Sequence, residues 1–344
     1  MSYTLFTQSH KAWDAMLRAI ERAEKSVYLE MYIFLGDTFP THNFTELLAR
    51  KAKEGVDTKI VVDALGSAFL DNTTITTLRE AGVELLFFSE FFRRTHRKII
   101  VVDEKVGLIG GVNIGKEYHS WLDLQMELDG PIVKSLTRSF QKSYIAAGGK
   151  DKQFIARRLT GGISKAKFIL LERWPGKEKN PLHAHYRDQF RKAQKSITIV
   201  TPYFIPHGWL LDEIKNAVAR GVRVEVVASE NASPKIADIA SRLTIAALKP
   251  SGIHFYFTKE LHHAKALLID DEEGMIGSYN VDPLSFDHNL EAGVLFKNKA
   301  LIHELRAVIE SWKKNANPYN EKLHKPAWYT TLLGPLIRFI EPIL

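Results

Sequence analysis

A pattern eighteen residues long is written twice in this chain, and that duplication limits the possible folds more than any other feature. In the first copy, His96-Arg97-Lys98 is followed by four apolar residues, Asp103, and, after six more, Gly110-Gly111-Val112-Asn113. In the second, His263-Ala264-Lys265 leads in the same steps to Asp270 and Gly277-Ser278-Tyr279-Asn280. The copies stand 263 − 96 = 167 residues apart, so the repeating unit is domain-sized. The flanks repeat as well. Ala23–Phe34 and Ala193–Phe204 each read as a polar helix end feeding a β-branched and aromatic strand. Each is followed by a helix, a glycine at the C-cap position (Gly55, Gly221) and a buried strand, then by another helix and strand.

This alternation predicts an α/β fold: two duplicated domains, each a mixed β-sheet flanked by helices, packed about a pseudo-two-fold axis. The join is expected between Ala146 and Asn180, where glycine pairs and Pro175-Gly176 punctuate the pattern, giving domains at 1–155 and 156–325. Residues 326–344 form an apolar tail beyond the repeat.

Within each motif, His-x-Lys opening an apolar run is a strand whose first alternate side chains share a face. His96 and Lys98 therefore point one way, as do His263 and Lys265. The small residues of the Gly-x-x-Asn corner let backbone and short polar groups approach an anion closely. A single His-x-Lys-x4-Asp match is weak, with a chance expectation on the order of 0.05 per chain. Two matches at equivalent positions of a repeat are strong.

Composition narrows the chemistry. The chain has no cysteine, which removes disulfides, thiolate metal sites and a cysteine nucleophile together. A net charge of +7 suits a polyanionic partner, either nucleic acid or an anionic membrane surface. No secretory signal is read at the N-terminus, and no uncharged apolar stretch reaches the ~18–20 residues needed to span a bilayer, so a soluble or peripheral protein is expected.

The paired motifs resemble those of the phospholipase D superfamily over nearly the whole chain. The segments around Arg94–Asp103, Ile109–Gly115, Trp121-Leu122-Asp123, Asp129–Val133 and Val200–Pro206 are similar to bacterial cardiolipin synthases. That resemblance implies one composite site facing a phosphodiester. His96 is implied as the nucleophile that forms a phosphohistidine, and His263 as the general acid and base. Lys98, Lys265, Asn113, Ser278 and Asn280 are implied to hold phosphate oxygens, with Gly111 standing where the first copy lacks the serine. Asp123 and Glu291 are implied to orient the histidines. Asp103 and Asp270 complete the motif and are counted with the catalytic set, although their place at a turn suits ordering that turn better than touching substrate.

No cofactor and no metal are expected. His262 is out of register with Lys265 and reads as structural, while His119, His183, His185 and His207 lack a spaced partner. Arg93, Arg94 and Arg97 read as a solvated basic rim with an attraction for anionic substrate. The resemblance implies transfer of a phosphatidyl group between phospholipids, phosphatidylglycerol foremost, at the cytoplasmic face of a bacterial membrane. The alternatives are a hydrolase or nuclease of the same superfamily, or a non-catalytic lipid- or nucleic-acid-binding module. Nucleic acid is not the expected partner, because no stripe of stacking aromatics accompanies either motif. The tail, with Trp328 and Tyr329 ahead of an apolar run, is read as an interfacial anchor, or else as a strap packed on a domain.

Overall fold

The structure, a computed structural model, describes residues 2–36, 38–90, 93–157, 167–176, 180–206, 208–248 and 251–319. The tail at 326–344 and His207 lie outside the described residues.

The first half runs β1 (Tyr3–Gln8), α1 (Ser9–Glu21), β2 (Ser26–Met31), α2 (Phe44–Lys53), β3 (Asp57–Asp63), α3 (Asn72–Glu80), β4 (Glu84–Phe88), β5 (Lys98–Val102), β6 (Val106–Gly110), β7 (Leu122–Asp129), α4 (Pro131–Ala146) and the short α5 (Lys152–Ala156). The second runs β8 (Phe168–Arg173), α6 (Pro181–Lys192), β9 (Ser196–Val200), α7 (Gly208–Ala219), β10 (Arg223–Ser229), α8 (Lys235–Leu248), β11 (His254–Thr258), β12 (Ala266–Ile269), β13 (Glu273–Gly277), β14 (Glu291–Phe296), α9 (Lys299–Lys314) and β15 (Ala316–Pro318). Strand order in the first sheet is β1-β7-β6-β5-β2-β3-β4; the second has β8-β14-β13-β12-β9-β10-β11, with β15 added at its edge. The duplication is therefore complete at the level of topology.

Local chemistry sets the elements. The Asn43 side chain accepts from the Glu46 amide at 3.0 Å and Asp71 from the Thr74 amide at 2.8 Å, so α2 and α3 start on side-chain caps. Gly55 and Gly221 take φ of +92° and +86° at the helix ends, as the repeat predicts. The parallel strands β2 and β3 are buried along almost their whole length, which explains their runs of Val, Ile and Leu.

Three main apolar layers result. One lies between the first sheet and α1–α3, and another is confined to the second half. The third joins residues of both sheets, including Tyr28, Ile99 and Met126 from the first and Ala266, Val294 and Ile276 from the second, with α4 and α9. The two halves thus share a core. Each motif strand runs antiparallel to its β2 or β9 neighbour, which brings the motif histidines to the C-terminal edge of the parallel strands.

Candidate active site

The two halves exchange backbone hydrogen bonds at this edge. The His96 amide donates to the Leu290 carbonyl at 3.0 Å, and the Leu290 amide to the Arg94 carbonyl at 2.8 Å. Reciprocally, the His263 amide donates to the Leu122 carbonyl at 2.7 Å, and the Leu122 amide to the Leu261 carbonyl at 3.0 Å. Each motif strand of one half is stitched to the start of β14 or β7 in the other. This is the exchange a two-fold relation requires.

The side chains repeat the exchange. His96 Nδ1 lies 3.0 Å from Glu291 Oε1, and His263 Nδ1 lies 2.9 Å from Asp123 Oδ2. Each of the two motif histidines is therefore oriented by a carboxylate of the opposite half, a pairing that spacing along the chain does not reveal. A carboxylate accepting from Nδ1–H leaves the Nε2 lone pair free, the tautomer a nucleophile or base needs. Glu291 stands 291 − 280 = 11 residues after its motif asparagine, and Asp123 stands 123 − 113 = 10 after its own. A π-helical turn at Leu284–His288 lies in the longer connection and absorbs the extra residue, so both acids precede by two the strand partners of Gly277 and Gly110.

Lys98 and Lys265 are buried beside the imidazoles, each donating to the carbonyl of its own motif histidine, Lys98 Nζ at 2.6 Å. Among the described residues neither ammonium has a carboxylate within ion-pair distance. Burial, then Lys265, holds Lys98 well below its ordinary pKa; burial pushes Lys265 down to about 8. Burial and these two cations also hold His96 well below its ordinary value, and burial followed by Lys265 pushes His263 down to about 3. The site thus sets two imidazoles beside two buried lysines, and burial disfavours the charged form of all four.

The orienting acids differ. Burial pushes Glu291 up to about 7, against the pull of Lys98 and of the Ser278 and Ser285 hydroxyls. Burial also raises Asp123, but His263 beside it and Lys265 outweigh that and hold it below the ordinary carboxylate value.

Several sequence expectations are corrected. Asp103 and Asp270 stand at the far ends of β5 and β12, roughly 20 Å along the strand from the histidines. With the residues after them (Glu104, Asp271) they take φ between +53° and +57° in tight turns closed by Lys105 N to Val102 O and Glu272 N to Ile269 O, both 2.9 Å. Their carboxylates accept backbone amides of Glu24, Lys25 and Ser26, and of Gln194, Lys195 and Ser196. Aspartate tolerates that turn and anchors the entry of β2 or β9, and the structure places neither carboxylate beside the motif histidines.

Ser278 donates to Glu291 Oε2 and lies in the carboxylate's support, where a phosphate contact was expected. Gly111, its counterpart, has no room for a side chain, since a Cβ there would sit 2.2 Å from Asp123 Oδ1. Arg97 is not on a rim but fully buried, bonded to Glu30, Ser139, Ser143 and Glu172. Arg93 is exposed and paired with Glu90 at 3.1 Å.

Asn113 and Asn280 are buried, and the Oδ1 of each has no partner. Asn280 Nδ2 donates to the Tyr203 hydroxyl at 2.8 Å, which donates to Asp282 Oδ2 at 2.9 Å. His262 turns away from the cleft, within 3.3 Å of the Val227 carbonyl; His185 faces Glu273 at 2.8 Å, His183 lies on Trp209, and His119 sits among His10, His42 and Trp13.

Residues not singled out by the sequence complete the cleft. The Tyr32 ring lies 4.7 Å from His96 and 5.0 Å from Lys98 Nζ. Trp121 lies 5.7 Å from His263, and Ser285 donates to Glu291 Oε1 at 2.8 Å. Their signal was their nearness to the motifs: Tyr32 and Tyr203 close the repeated β2 and β9 segments, and Asp282 and Ser285 follow Asn280 directly.

A family described as cardiolipin synthase, phospholipase D-like domain, matches residues 16–143 and 186–312. The chain belongs to this family. The two matches of the cardiolipin synthase-type domain cover the two halves and both motifs. Relatives include a Bacillus subtilis (strain 168) protein named probable cardiolipin synthase, 30% identical over 86% of this chain and 62% of its own length. Cardiolipin synthase 1 of Bacillus cereus is 29% identical over 99% of this chain and 72% of its own. The chain thus spans between three-fifths and three-quarters of these relatives. Among solved structures, a phosphatidylserine synthase from Haemophilus influenzae superposes with a TM-score of 0.80 at 15% identity, over 99% of this chain and 95% of that one. A polyphosphate kinase from Porphyromonas gingivalis superposes with a TM-score of 0.68 at 11% identity, over 100% and 54%. These last two share the fold. Among the described residues, no helix is long and apolar enough to cross a membrane.

Proposed function

We propose that the chain is a phosphatidyltransferase that joins two phosphatidylglycerol molecules into cardiolipin through a phosphohistidine on His96. One observation carries the reading: Lys98 and Lys265 are buried with no carboxylate partner among the described residues, beside two histidines each held at Nδ1 by a carboxylate. Such a pocket is incomplete until it takes an anion, and the phosphodiester is the anion that suits a nucleophile and proton donor side by side.

His96 Nε2 attacks phosphorus, the bond from phosphorus to the glycerol oxygen breaks, and His263 gives its proton to the departing alkoxide. His263 then takes the proton of the acceptor hydroxyl, which attacks phosphorus; the phosphorus–nitrogen bond breaks and His96 is restored. The difference between the acids supports this order of roles. Asp123 stays ionised and favours an imidazolium on His263, whereas Glu291 gives its charge up more readily and leaves His96 neutral. Bound phosphate offsets the two lysines and raises the proton affinity of His263 when the acid is needed. Lys98, Lys265, Asn113 and Asn280 hold the non-bridging oxygens. The enzyme works from the cytoplasmic face of the bacterial membrane, with the tail at 326–344 as a peripheral anchor.

The test is incubation of the full chain with phosphatidylglycerol in mixed micelles, with lipid products read by mass spectrometry. Cardiolipin and glycerol are expected; phosphatidic acid alone would make the chain a hydrolase, and nucleic-acid cleavage at a rival rate would make it a nuclease. His96→Asn and His263→Asn should each lower turnover by about 10³-fold or more. Phosphatidyl label should be trapped on His96 in the His263 variant, and label on His263 alone would reverse the roles.

A further inference from the structure

Among the described residues six large apolar side chains are exposed: Leu65, Phe69, Ile145, Ile169, Ile236 and Leu261. Four of the six stand on segments that frame the cleft. Leu65 and Phe69, 59% and 90% exposed, lie on the segment after β3, and Ile236 opens α8 after β10. Leu261 precedes His263 by two residues, and its carbonyl is bonded to the β7 strand that carries Asp123. All four leave the sheet at the edge where the histidines sit.

The segment bearing Phe69 is not a loose loop. Asp63 accepts the Leu65 and Gly66 amides at 3.0 and 2.9 Å on one oxygen and the Thr95 amide, next to His96, at 2.8 Å on the other. Ser67 Oγ accepts from the Phe34 amide at 3.0 Å and donates to the Tyr32 carbonyl at 3.1 Å. Gly66 presses so closely on Tyr32 that a Cβ would fall 2.3 Å from its carbonyl oxygen, and the Tyr32 ring meets His96. A braced frame, tied through Asp63 to the Thr95 amide and through Tyr32 to His96, therefore presents two apolar side chains to solvent. A phenyl ring held in solvent on a well-braced segment forgoes the stabilisation that a covering apolar surface would supply.

We propose that this rim, led by Phe69 and Leu65, is an interfacial docking surface that inserts into an anionic phospholipid bilayer over the mouth of the cleft. It rests on the phospholipid reading of the site and adds where the membrane is met. His96 is buried and His263 partly so, which makes a phosphodiester enter headgroup first while its two acyl chains stay at the sheet edge from which these four segments leave. Lys235 and Lys259 lie within two residues of Ile236 and Leu261, Arg94 precedes His96 by two, and the chain carries a net charge of +7, which suits an anionic leaflet.

The chain contains no cysteine, so Phe69→Cys gives a single attachment point for a polarity-sensitive fluorophore. With vesicles of phosphatidylglycerol and phosphatidylcholine, the label at 69 should shift to the blue, and a label at Ile145→Cys, exposed on α4, should not. Leu65→Asp/Phe69→Asp in the full chain should weaken vesicle sedimentation by about tenfold or more. It should also lower turnover of vesicle-borne phosphatidylglycerol at least about tenfold more than turnover of monomeric dihexanoyl phosphatidylglycerol. Unchanged sedimentation, an equal loss in Ile145→Asp, or a label at 69 that stays in water would overturn the proposal. A rim that instead holds two copies together, seen as a lipid-free dimer dissociated by the double variant, would overturn it too. Absence of turnover on any phospholipid by the unaltered chain would reject the functional reading, while the label and sedimentation still report on the rim.

Discussion

At the scale of single residues, the two orienting acids do the same job with their carboxyl pKa values shifted in opposite directions. Glu291 is fully buried, and burial raises its carboxyl from 4.5 to about 7, so the folded chain holds that proton more tightly than the unfolded chain. A group raised in this way adds stability that is complete below its unfolded pKa and is lost as pH rises through the folded one. Glu291→Gln cannot ionise and escapes that loss. Urea denaturation should therefore find the variant close to the parent at pH 5 and more stable by roughly 2–4 kcal/mol at pH 8. Equal stability at pH 8 would mean that Glu291 is ionised in the fold at little cost. Asp123→Asn should behave differently: its acid is held low, so the variant loses stability at neutral pH and leaves His263 without a fixed tautomer, lowering turnover by about 10²-fold or more. The motif histidines and lysines were legible in the sequence because identical spacing forces them onto one face of a strand. The partner of each histidine was not, because it comes from the other half, and nothing along one chain marks a contact 195 residues away. The bond from Ser278 was hidden for a related reason, since its hydroxyl donates to that same carboxylate.

At the scale of elements, the repeat supplies its own control. Arg97 and Glu30 form a fully buried pair in the first half, tied further to Ser139 and Ser143 on α4 and to Glu172 on β8. By sheet register Glu30 sits opposite Ile99, and the equivalent Val200 sits opposite Ala266; Arg97 is replaced by Ala264. One half of the molecule thus places ions where the other places apolar groups. Removing one ion strands the other, at a cost of about 3–5 kcal/mol, whereas replacing both by apolar groups can be neutral or stabilising. Arg97→Met should therefore destabilise strongly, and Arg97→Met/Glu30→Val should recover much of the loss, as read by a double-mutant cycle in urea. Additive losses would show that the two ions are held independently. The repeated helix–glycine–strand units were readable because amphipathic periods and Gly55 and Gly221 mark their ends. The π-turn at Leu284–His288 was not: one extra residue in a connection looks the same whether it loops out or widens a helical turn. Nor was the burial of Arg97, whose neighbours in sequence, Arg93 and Arg94, are the ones that face solvent.

At the scale of the whole molecule, the site and the core make the same demand. The central apolar layer draws on both sheets, and the carboxylate, the backbone clamp and the histidine come from different halves at each of the two positions. Neither half can keep its interface residues buried or its histidine oriented without the other. Two domains with separate cores and a polar interface would melt separately; a shared core couples them. At about 0.7 kcal/mol per residue near 60 °C, a chain of 344 residues unfolding as one unit should show a van't Hoff enthalpy on the order of 240 kcal/mol, and two independent halves about half of that each. Scanning calorimetry should find a single transition whose van't Hoff and calorimetric enthalpies agree, with loss of turnover at the same temperature. Inactivation well below that transition would mean that the crossed pairs open while both cores persist. Two resolved transitions would mean that the apolar layers confined to each half, and not the layer between them, hold the fold.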